Sequence, residues 1–388
     1  MSKSLIIVNG VGISFGCVRM LIGAFSVIFL LSKGLTLPEI GWLKAFQGFV
    51  LVFIDIPLSH FSDRYSRKFS ICLSILTASL WLAVTGIGTT FIHFLIAELF
   101  NAISLGLMSG TFASYLYDKS KLYDNDITSI SIFSKYQKYN FLFMAFFSIL
   151  GVVVYERVEG AVWFISALLM MLVFGLSLFL PPDRHNLNSF EGGFFSILKK
   201  IISLFFMKES CLTYYLYLNL LLSISLQILI QYWQVLIINN EHYVDGKLIY
   251  GVAFFFILLS QSVAGLVVEK FGNKRGTNIS IILSLTLSTI STVIFSSIVW
   301  VSIFSMCMLF FIASLLSSIS TAKLIENSPE GFRSTIMSSA AVFSKILMFV
   351  FMPLSAFFIS KIGINFNLLM CAFLAALFLA AYKFYRNE

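Results

Sequence analysis

Five ionisable side chains stand inside long apolar runs of this 388-residue chain: Arg19, Lys44, Asp55, Glu98 and Lys345. A charge in hydrocarbon costs several kcal/mol unless it is paired or hydrated, so each of them is a candidate for function. Glu98 is the strongest proton-carrier candidate, because a carboxylate in a low-dielectric site takes up and releases a proton as a cation moves away from it and back. Arg19 or Lys44 would be that cation, and a fixed structural ion pair is the competing expectation. Asp55 reads as a partner of the polar loop that follows it or as a second proton-transfer group. Lys345 has no acid in the apolar part of its own half, which leaves three readings: it binds an anionic group, pairs across a cavity, or snorkels to the membrane surface.

Uncharged polar residues form a second pattern. Asn219, Ser223, Gln227, Gln231 and Gln234 recur every three or four residues, with Trp233 beside the last. Amides on one helical face hydrogen-bond a solute without fixing its charge, or else tie helices together. Arg19 shares a face with Asn9, Gly12, Gly16, Gly23 and Ser26, small or polar throughout, as in a helix that lines water or packs closely. The four histidines, His60, His93, His185 and His242, are dispersed, and the chain has no glycine-rich phosphate cradle. Its five cysteines lie in apolar runs without CxxC spacing, as buried free thiols do. Enzyme chemistry, a bound metal or cofactor and an ATP-driven pump are therefore not expected.

The elements that position these groups follow from composition. Hydrophobic residues make up 59% of the chain, charged residues 11%, and Phe alone numbers 43. A soluble fold of this length needs far more polar surface, so the solvent of this chain is lipid. The net charge of +8 is divided among short clusters between apolar runs, which argues against nucleic acid as a partner. Runs near the 20 residues needed to cross a bilayer fall at about 8–31, 39–60, 69–89, 92–116, 137–155 and 161–180, then 211–238, 248–268, 277–297, 299–322, 335–360 and 364–384. The expectation is an all-α integral membrane protein of twelve transmembrane helices, in bundles 1–180 and 210–388. The polar linker 181–209 between them carries a possible interfacial helix with Ser196, Lys199, Lys200 and Ser203 on one face. The start, MSKSLIIVNG, lacks the order of a signal peptide, so the first helix is expected to stay. With both termini cytoplasmic, only Lys33, Arg157, Lys247 and Lys361 fall on the far side, as basic loops that resist translocation require.

Two polar loops repeat one template. The first reads Ser59-His60-Phe61-Ser62-Asp63-Arg64-Tyr65-Ser66-Arg67-Lys68, and the second runs from Gly265 through Glu269-Lys270-Phe271-Gly272-Asn273 to Lys274-Arg275. Their acids, Asp63 and Glu269, are 206 residues apart, about half the chain, as in a six-helix unit used twice. The loops resemble the signature loop of the major facilitator superfamily, G-x-x-x-D-R/K-x-G-R/K-R/K. The first has Ser59 and Ser66 in place of the glycines, and the second has Glu269 for Asp. Asp55-Ile56-Pro57, Ser109-Gly110-Thr111 through Asp118, and Asn327-Ser328-Pro329 to Pro353-Leu354 resemble the bacterial drug-efflux-like branch.

The resemblance implies a secondary transporter with alternating access, whose first, fourth, seventh and tenth helices line a central cavity. Ser314, Ser317, Ser318 and Thr321 in the tenth span fit that lining, beside Arg19, Asn219, Gln227, Gln231, Trp233, Gln234 and Lys345. Asp63, Arg64, Arg67, Lys68, Gly265, Glu269, Lys274 and Arg275 would form gating loops whose ion pairs break and re-form as the halves rock. The expected activity is proton-coupled export of a small amphipathic compound, by a monomer in a bacterial inner membrane, with lipid, solute and protons as its partners. Proton-coupled uptake of a small polar solute is the alternative. Antiporters of the superfamily often carry Gly-Pro-x-x-Gly-Gly in the fifth span, where this chain has Gly151 alone.

Overall fold

A computed structural model describes residues 3–123, 127–182, 230, 233–234, 248–271, 299–326, 345–346, 349 and 353–361. The described residues are helices and short connections, without strands. Helix α1 spans Lys3–Met20, α2 Ser26–Ser32, α3 Leu37–Arg64, α4 Arg67–Ile87, α5 Phe91–Met108, α6 Thr111–Tyr123, α7 Ser129–Val158 and α8 Ala161–Ser177. In the C-terminal half, α9 spans Leu248–Phe271 and α10 Val299–Glu326. Six of the spans are long and apolar enough to cross a bilayer, with α5 and α6 run together as one of them. The chain is a multi-pass membrane protein.

Polar residues set the helix starts. Thr36 opens α3 with a capping box: its backbone N–H donates to Glu39 Oε2 at 2.7 Å, and its hydroxyl accepts from the Glu39 amide at 3.4 Å. Ser66 caps α4 by accepting from Phe69 N at 3.1 Å, and Thr128 caps α7 by accepting from Ser131 N at 3.3 Å. Lipid gives helices no hydrophobic reason to associate, so small and hydroxyl residues join them. Ser74 donates to the Ser104 carbonyl at 2.7 Å, binding α4 to α5, and Ser79 donates to the Ala167 carbonyl at 2.9 Å, binding α4 to α8.

Two of the expected runs are not single helices. The first, 8–31, is interrupted at 21–25 between α1 and α2. There Leu21 N bonds to Val18 O at 3.3 Å, Gly23 N to Met20 O at 3.2 Å and Phe25 N to Ile22 O at 3.3 Å, the tight i to i−3 pattern of a turn. The fourth, 92–116, breaks at Ser109–Gly110. Gly110 has φ of +68°, a left-handed conformation that glycine adopts without a Cβ clash. The residues at the first break, Leu21 to Phe25, are apolar and those at the second are small, so hydropathy alone does not reveal the breaks. The segments preceding them, α1 and α5, are each 18 residues long.

Among the described residues, the N-terminal and C-terminal halves meet chiefly along α7 and α9, which run antiparallel. Near one end Gly251 faces Val152. Toward the other, a Cβ on Gly265 would stand 2.8 Å from the Lys138 amide nitrogen and 3.0 Å from the Ser134 carbonyl oxygen, so glycine is what lets these backbones touch.

Candidate functional site

Glu98, on α5, is buried and fully engaged. Lys44 Nζ on α3 lies 2.7 Å from its Oε1, and Asn101 Nδ2 donates to Oε2 at 3.0 Å. Asn101 Oδ1 in turn accepts from Arg19 Nη2 at 2.9 Å, and the Arg19 guanidinium lies 4.4 Å from the Trp81 ring centroid. One carboxylate thus serves two cations, Lys44 directly and Arg19 through the Asn101 amide, and four helices of the N-terminal half meet there. Arg19 Nη1 is buried with no hydrogen-bond partner. Sequence reasoning puts Glu98 beside Arg19 or Lys44 and misses Asn101 and Trp81. Asn101 is visible as the residue one turn after Glu98.

Asp55 belongs to a different arrangement. It is fully buried on α3, two residues before Pro57, and its Oδ2 accepts from Lys345 Nζ at 2.5 Å. The pair joins residues 290 positions apart and closes a seam between the two halves. Gly48 faces the Lys345 backbone carbonyl across the same seam, and the rings of Phe49 and Phe349 lie 5.4 Å apart, centroid to centroid. Of the three readings of Lys345, pairing across the halves is the one the geometry realises. Ser59, one turn beyond Asp55, donates to the Ser109 carbonyl at 3.4 Å, which ties the seam to the break in the fourth run.

A second seam is built on the same plan. Lys138 Nζ on α7 lies 2.7 Å from Glu269 Oε2 on α9, and Ser262 donates to the Lys138 carbonyl at 2.7 Å. Gln137 Nε2 donates to the Ser314 hydroxyl of α10. In the sequence Lys138 reads only as a topology-setting charge. Its separation of 207 residues from Lys345, beside the 206 between Asp63 and Glu269, is the signal that it is the counterpart of Lys345.

The first signature loop is tied into the N-terminal half. Arg67 bridges Asp63 at 2.9 Å and Asp118 at 2.5 Å, joining α3, α4 and α6. Lys68 donates to the Leu178 carbonyl at 2.7 Å and so caps the C-terminus of α8, while Arg64 is exposed against Tyr65. Glu269 of the second loop does reach the other half, through Lys138. Lys274 and Arg275 lie outside the described residues, as do Asn219, Gln227 and Gln231.

Among the residues expected to line a cavity, Gln234, Trp233 and Ser318 make helix contacts. Gln234 is buried; its Oε1 accepts from Val27 N at 3.2 Å and its Nε2 donates to the Gly23 carbonyl at 3.0 Å. Trp233 stacks on Phe254 with centroids 5.1 Å apart, and Ser318 donates to the Ser314 carbonyl at 2.9 Å. Beside the Asp55 seam, Trp42, Phe46, Phe49, Phe91, Leu95 and Phe349 line an apolar groove of about 490 Å³.

This architecture superposes on solved transporters over nearly the whole chain. The human organic anion transporter MFSD10 (TETRAN) matches with a TM-score of 0.69 at 14% identity, over 98% of this chain and 99% of that one. The nucleoside transporter NupG matches at 0.70 and 11% identity over 100% of both chains, and a point mutant of NupG matches at 0.71 and 14% identity over 98% of both. The fold is the one that these solved transporters share. At these identities the likeness concerns fold. No family model matches the sequence, and no curated protein does.

Proposed function

We propose that this chain is a proton-coupled secondary transporter, not an enzyme, and that it exports a small amphipathic compound by alternating access. The observation that carries this reading is the Asp55–Lys345 pair, a fully buried carboxylate and its ammonium partner joining two halves that must separate for a central site to change sides. Protonating Asp55 removes the attraction that closes its seam. Separating the halves hydrates both groups. Glu98 is held within one half by Lys44 and Asn101, and it acts as the proton carrier only if Lys44 withdraws. The aromatic groove beside the seam offers an amphipathic compound a way in from the bilayer. The Arg19 cluster holds one more cation than anion and a free guanidinium nitrogen, so a compound with an acidic group suits it better than a cationic one. The protein acts as a monomer in a bacterial inner membrane with both termini cytoplasmic and the basic loops facing the cytoplasm.

Uptake is the second reading, favoured by the likeness to a nucleoside transporter. Transport in inverted vesicles under an imposed pH gradient separates the two. Export predicts uptake of an acidic amphipathic probe into inverted vesicles that are acid inside, accompanied by proton release. Symport predicts net movement with the protons in the opposite sense. Asp55→Asn abolishes gradient-driven accumulation while leaving substrate binding; gradient-driven accumulation at the wild-type level in that variant would remove Asp55 from the coupling role.

A further inference from the structure

The break in the first run leaves backbone groups without helical partners in the membrane, where each costs several kcal/mol if unsatisfied. Gln234 meets two of them at once, accepting from the Val27 amide and donating to the Gly23 carbonyl. Its side-chain amide thereby stands in for a missing strip of backbone, and it comes from the other half of the chain. The surroundings are fitted to the same turn. A Cβ on Gly151 of α7 would collide with the Leu21 backbone, Phe25 stacks on Tyr155 with centroids 4.1 Å apart, and Phe254 packs on Gly23. The break in the fourth run is tied within the N-terminal half, where Ser59 of α3 donates to the Ser109 carbonyl.

We infer that 21–25 is a gate hinge and that Gln234 is its latch. With the amide engaged, α2 is held against the C-terminal half and that end is shut. When the amide lets go, the two backbone groups must find each other or water, so opening this end and re-forming the hinge are one event. Gln234 is then a positioning residue of the gate and not a solute ligand. This rests on alternating access as the working mode.

The test uses spin labels at the exposed residues Ser32, ending α2, and Leu248, starting α9, in the full chain reconstituted in nanodiscs. Pulsed distance measurement on the otherwise wild-type protein should show a short and a long population. Gln234→Ala should shift them toward the long one by about tenfold, the combined loss of two ordinary hydrogen bonds. It should also raise amide exchange in peptides covering 20–28, with α4 and α5 peptides unchanged. Two populations insensitive to Gln234→Ala would overturn the latch alone. A single distance under every condition would overturn both the latch and alternating access, and exchange rising equally in all helices would reduce Gln234 to a general packing residue.

Discussion

Removing Lys345 is the sharpest perturbation of the seam. Lys345→Ala leaves the Asp55 carboxylate at 0% exposure with its ammonium partner gone. Deleting one member of a buried pair costs roughly 3–5 kcal/mol, most of it the orphaned charge. That cost falls on the state with the seam shut, since opening brings water to the carboxylate. The open population should therefore rise by roughly two to three and a half powers of ten. Asp55→Asn combined with Lys345→Ala leaves no charge and should recover most of the loss, because a pair removed together is often near neutral. The assay is disulfide trapping of Phe49→Cys with Phe349→Cys, in a background without the native cysteines. Efficient trapping should vanish with Lys345→Ala and return in the double variant. Trapping that survives Lys345→Ala undiminished, or a double variant no better than the single, would refute the reasoning.

Other consequences follow from the same contacts. Gly151→Val forces side-chain atoms into the Leu21 backbone and should prevent accumulation of folded protein in the membrane, while the nearby Val152→Ala should be tolerated; size-exclusion profiles of the detergent extracts distinguish them. Glu98→Gln strands Lys44 and should lower the midpoint of thermal unfolding, a loss of about 2–4 kcal/mol that Lys44→Met restores in part. Lys68→Met removes a helix C-cap at the exposed end of α8 and should cost only about 0.3–1 kcal/mol in thermal unfolding.

Much of the architecture is legible because lipid imposes a strict length on each crossing. The expected runs 39–60, 69–89, 137–155, 161–180, 248–268 and 299–322 each fall on one helix, α3, α4, α7, α8, α9 and α10. What escapes is the state of the backbone within a run. Leu21 to Phe25 is as apolar as its flanks, and its turn is stabilised by Gln234 from more than two hundred residues away. The charges are easy to find and harder to pair. Asp55 reads toward the loop that follows it, yet it meets Lys345, because sequence proximity carries no information about which helices share a seam. The same limit hides the partners of Gln234 and Ser314, whose polar atoms bond to α2 and its preceding turn and to α7.

Among the described residues, each inter-half ion pair is electrically neutral: Asp55 with Lys345, and Glu269 with Lys138. Parting such a pair sends one positive and one negative charge through nearly the same depth of the transmembrane field. The voltage, worth about 2.3 kcal/mol per elementary charge per 100 mV, then does almost no work on parting either pair.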